Sequence, residues 1–155
     1  MSKRSPAKQL LRDSQGAAIV EFALVLTVLL IIVLGVIQFG LMWYTKYALA
    51  CASREGARYG TIYVPDPSSS ANRLAPASLN PSIEAVVRDY ITKFCPSLSQ
   101  DKVNVNVSGS GYTTGNAGAE LIVTVTAQNP WDLLGGFIPS MKNMTFTAET
   151  IMKCE

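Results

Sequence analysis

"RDSQGAAIVEFALVLTVLLIIVLGVIQFG", residues 12–40, is the stretch that decides the architecture. From Ala17 to Ile37 it offers 21 residues with one charge, Glu21, and one hydroxyl, Thr27. At about 1.5 Å per residue, a helix of that length crosses a hydrocarbon core of roughly 30 Å, so the segment reads as a membrane span. A removed secretory signal fits less well, because its apolar core is normally about 7 to 15 residues and ends in small residues before a polar start. Lys3, Arg4, Lys8 and Arg12 precede the span, against the single acid Asp13. Basic flanks stay on the cytoplasmic side, which puts the amino terminus inside and the remainder outside.

Working outward, the chain of 155 residues is 48% hydrophobic and only 15% charged, and the apolar excess is concentrated in this one segment. Beyond residue 16 there remain nine basic against ten acidic side chains. A near-neutral outer part lacks the basic stripe that neutralises phosphates, so nucleic acid is not an expected partner. The sequence contains no histidine. That excludes Ser-His-Asp and Cys-His nucleophile systems and any His-containing zinc site. Cys51, Cys95 and Cys154 have no CxxC spacing, so neither a metal nor a cofactor is expected, nor an enzyme. "GSGYTTG" follows a strand pattern and leads into another strand, without GxGxxG spacing, so no helix dipole would face a phosphate there.

The helical pattern continues past the span through "QFGLMWYTKYALACASREGARYGTIY", with no proline until Pro65. One rod is expected from about Ala17 to about Gly60. Trp43, Tyr44 and Tyr47 fall where rings favour the membrane boundary. Ala48, Ala52, Gly56 and Gly60 recur every four residues and form a bare packing face, where backbones can approach closely. Val64–Ser82, with four prolines and five serines, reads as an exposed connector. Asn80 is the expected cap of a second helix with Pro81 at its first position, followed by Ile83, Val86, Val87, Tyr90, Ile91 and Phe94 at spacings of three and four.

The period then changes to two. Val103, Val105 and Val107, then Leu121, Val123 and Val125, alternate with polar or exposed-type residues, and a third run is Met144, Phe146, Ala148, Thr150 and Met152. The fold class is therefore α+β: a long N-terminal transmembrane helix packed on a small antiparallel sheet with one further helix, since three strands alone are marginal. Trp131 and Phe137, in the last loop, are expected to plug the small core. Outside the cytoplasm cysteines tend to pair. Cys95 and Cys154 both flank the sheet and are the expected pair, with Cys51 free; the alternative leaves all three reduced and packed.

Glu21 is the anomaly of the span, because a carboxylate in a bilayer is costly and usually has a function and a partner. Cutting the Gly16-Ala17 bond would create an amino group one helical turn before it. The carboxylate of one subunit can pair with the amine of a neighbour, which neutralises both in low dielectric and fixes how far one rod slides along the next.

Gly16 followed by "AAIVEF", with a glutamate at the fifth position and then a long apolar helix, resembles the type III signal of type IV pilin-like proteins. Together with "ACASREGARYGT" it resembles the TadE-like pseudopilins of the tight-adherence (Tad, or Flp) pilus system, strongly over residues 14–61. Thr27 and Gln38 depart from it, standing where the family often has a proline and an acid. The resemblance implies a minor pilin with a leader over 1–16 removed by a prepilin peptidase, Gly16 before the cut and Ala17 as the mature start. It implies Glu21, with Phe22 beside it, as the assembly site. It also implies a transmembrane helix over 17–40, its periplasmic extension over 41–61 and a small α+β extracytoplasmic domain over 62–155. The partners implied are other pilin and pseudopilin subunits, the peptidase, an inner-membrane assembly platform and the lipid bilayer. The location implied is the bacterial inner membrane, then the extracellular pilus. The rival readings are a permanently anchored extracytoplasmic binding module and, more remotely, an anchored enzyme.

Overall fold

Proline at a first helical position loses no hydrogen bond, and after Pro6 nothing in the sequence stops a helix until Pro65. The computed structural model describes residues 6–66, 69–129 and 144–155, with side chains within 16–66, 73–129 and 144–155. In it α1 runs unbroken over Pro6–Thr61, 56 residues or about 84 Å. Residues 17–33 are exposed on every side. Beyond them one face is covered: Gln38, Thr45, Ala48, Leu49, Ala52, Ser53 and Ala57 are buried.

What covers that face is the rest of the chain. After α1 a short antiparallel hairpin joins β1 (Pro65–Asp66) to β2 (Ser69–Arg73), where the sequence suggested only a loop. Its physical use is to bring Arg73 back to the end of α1. The Arg73 guanidinium donates to the carbonyls of Gly60, Thr61 and Ile62 at 3.2, 2.8 and 3.0 Å, and to that of Glu155 at 2.6 Å. The carbonyls of Gly60, Thr61 and Ile62 lie at the end of α1, where the helix supplies no partner and its dipole is negative.

The second helix, α2, spans Ile83–Phe94. Its cap is Ser82, not Asn80, because the Ser82 hydroxyl accepts from the Ala85 N–H at 3.2 Å. Ile83, Val87 and Ile91 are its buried stripe, while Glu84–Arg88 and Asp89–Lys93 pair one turn apart on the solvent side. The sheet follows with β3 (Val103–Ser108), β4 (Glu120–Gln128) and β5 (Thr145–Lys153), antiparallel in that order. A single short helix, α3 (Ser110–Thr114), lies between β3 and β4 and ends at Gly115, whose φ of 63° suits glycine.

The central strand β4 buries Leu121, Val123, Val125 and Ala127 against α1 and α2, as a half-buried strand should. Its other face carries the polar pairs Thr124–Glu149 and Thr126–Thr147 with β5, and the apolar pair Ile122–Ile151 toward one end. Ser53 on the rod and Thr150 on β5 share a 2.8 Å hydroxyl contact, so the rod is pinned to the sheet by a polar pair as well as by hydrocarbon. Trp131 and Phe137 lie outside the described residues.

The levels along the rod follow from contacts. Ile83 and Leu121 flank Gly60, Val87 and Val123 flank Gly56, and the carbonyl of Phe94 meets Tyr44. Hence α2 and β4 both run back toward the apolar segment. This geometry corrects the expected cysteine pairing: Cys95 follows the end of α2 near Tyr44, whereas Cys154 lies beside Gly111 at the far end. The 12 residues of α2 put about 18 Å between those ends, while a disulfide tolerates less than about 7 Å between Cα atoms. All three cysteines are free thiols, with Cys95 and Cys154 buried.

Candidate processing and assembly site

Gly16 and Ala17 sit inside α1, and both are exposed. A side chain added at Gly16 would meet nothing within 4 Å, so the fold of this chain does not require glycine there. The charged side chains before Gly16 (Lys3, Arg4, Lys8, Arg12, Asp13) lie outside the described side chains.

Glu21 is exposed, one turn beyond Ala17, and its helical neighbours are Ala17, Ala18, Leu24 and Val25. Among the described residues it has no hydrogen bond or ion pair, whereas Thr27, the other polar group of residues 17–33, donates to the Ala23 carbonyl at 2.8 Å. Phe22 beside it is 66% exposed. With the bond before Ala17 intact, the Ala17 nitrogen is a neutral helix amide, so the carboxylate has no cation of its own chain within a turn. Such a group in hydrocarbon is satisfied from outside the chain or at a large desolvation cost.

The packing face of small residues has an occupant within the chain. Ala48 and Ala52 are buried, and a Cβ at Gly56 would lie 2.3 Å from Val87 Cγ2. At Gly60 it would lie 2.5 Å from Leu121 Cδ2 and 2.6 Å from Ile83 Cδ1. Gly56 and Gly60 therefore receive α2 and β4, and Ala48 and Ala52 lie buried on the same face.

Past the span, Glu55 and Arg58 form a two-pronged pair at 2.8 and 3.1 Å, and the Arg58 guanidinium holds the Glu55 carboxyl below its usual range. Tyr90 on α2 packs its ring 4.5 Å from that of Phe94, and burial, then the nearby Cys51, pushes its hydroxyl up. Two features escape a linear reading. Arg73 is signalled only by being the one cation of the proline- and serine-rich connector, and the contact between the Tyr44 hydroxyl and the Phe94 carbonyl joins residues fifty positions apart.

No curated protein and no solved structure matches the chain. A family model described as TadE-like protein matches residues 16–58. The segment holding Gly16, Glu21, the apolar span and the Glu55–Arg58 pair is thus a TadE-like segment.

Proposed function

We propose that this chain is a minor pilin, or pseudopilin, of a Tad (Flp) pilus, cut after Gly16 by a prepilin peptidase and assembled with other pilin subunits through Glu21. The observation that carries the reading is an exposed carboxylate with no partner among the described residues, one turn after the proposed cleavage position, in a TadE-like segment long enough to span a bilayer. The new amine of one subunit neutralises Glu21 of the next, and Phe22 packs beside the pair. Before assembly the protein rests in the bacterial inner membrane, spanned by residues 17–40, with residues 41–155 on the periplasmic side. Its role is structural, without catalysis.

Mass analysis of the amino terminus, with and without the peptidase, tests this. A mature start at Ala17 that appears only with the peptidase is the expected result. An intact leader in both, with pili forming normally, would leave a permanently anchored binding module as the better account. Glu21→Ala is expected to insert normally, since it removes a charge from the span, and to be lost from complexes with pilus components. Its undiminished recovery in those complexes would overturn the role of Glu21.

A further inference from the structure

The head's own core buries its apolar side chains almost completely, with Val87 and Ile91 at 0%, yet Phe94 at the end of the same helix is 56% exposed. Its position explains the exception. The Tyr44 hydroxyl donates to the Phe94 carbonyl, which fixes the end of α2 at the level of Tyr44 on the rod. At that level the rod exposes Trp43 at 66%, Tyr44 and Tyr47, with the Phe39 ring 6.0 Å from that of Trp43. Two separate elements therefore present rings at one level of the rod, a few turns beyond a segment exposed all round and of a composition suited to hydrocarbon. Lys93 and Ser97, next to Phe94 in sequence, are exposed and polar. The other large apolar side chains exposed on the head, among the described residues, are Ile62, Tyr63 and Ile151, all at its far end.

We infer that the Phe94 end of α2 is a second membrane contact, seated in the lipid–water boundary beside Trp43 and Tyr44, so that the head rests on the bilayer in one orientation. Rings with one apolar and one polar side favour that boundary, and a lysine stem can lie along it with its ammonium in water. The occupant is lipid because this surface is continuous with the spanning helix. The inference rests on residues 17–40 spanning a bilayer.

The test uses the full chain with Cys51→Ser, reconstituted in phosphatidylethanolamine–phosphatidylglycerol vesicles carrying a nitroxide near the top of the acyl chains. A fluorophore is attached at Trp43→Cys, Phe94→Cys or Ile151→Cys in turn, the buried Cys95 and Cys154 being protected in the folded head. Circular dichroism confirms the fold of each variant. The expected result is a loss of intensity at position 94 comparable with that at 43, and little at 151. Quenching at 43 with none at 94 would overturn the seating while leaving the span intact. Equal quenching at 94 and 151 would overturn the single orientation. No quenching at 43 would remove the span and the inference together.

Discussion

The two halves of α1 share one helix and are built to opposite rules. Residues 17–33 carry large aliphatic side chains and are exposed, covered by none of the described residues; residues 45–61 carry alanine, serine and glycine on one face, and that face is buried. The glycines make the contrast sharp. At Gly16, Gly35 and Gly40 an added Cβ meets nothing within 4 Å, while at Gly56 it would strike Val87. Hydrophobicity alone therefore does not say where a residue is buried. The outer half is small because α2 and β4 of its own chain must come close, and the inner half has the length and composition of a segment fit for hydrocarbon.

The largest effect that would break this comparison is Gly56→Leu. A leucine there pushes Val87, a stiff β-branched residue on α2, off the rod and is expected to cost the head about 3 kcal/mol, read as a lowered melting midpoint in detergent. Gly35→Leu is expected to leave that midpoint where it is. Equal effects at the two sites would mean that the two halves are not partitioned between head and membrane.

Next in size is Arg73→Gln, which removes the charge that satisfies three carbonyls at the end of the rod. About 2 kcal/mol of stability is expected to be lost, with faster amide exchange in the last turn of α1. Arg73→Lys restores little, because an ammonium cannot fork among the same carbonyls and Glu155.

The smallest effect belongs to the Glu55–Arg58 pair, which is largely solvated. The folded carboxyl titrates below its ordinary value, so the pair's contribution is present at neutral pH and is lost as pH falls below the usual carboxylate range. The difference in melting midpoint between the native chain and Glu55→Gln is thus expected to hold from neutral pH downward and to close in acid. A difference that grows in acid would show that Arg58 is not what depresses this carboxyl.

Much of this was legible in the residues. The uninterrupted helix, the Ile83–Val87–Ile91 stripe and the alternation of Leu121, Val123 and Val125 are local periods, and a period is set by backbone geometry that every sequence obeys. The candidate site was legible too, because Glu21 violates the composition around it. Less could be read of the connector, where Ser69–Arg73 carries no strand-forming pattern yet pairs with Pro65–Asp66.

The sequence by itself determined the long apolar segment, its solitary carboxylate and the α+β character, since each depends on composition or spacing within a few helical turns. The tertiary structure decided what fills the small face, that Ser82 caps α2, that Cys95 and Cys154 lie too far apart to bond, and that Phe94 returns to the level of Tyr44. Those outcomes turn on the direction in which α2 and β4 run along the rod, and that direction is settled by packing between residues distant in the chain.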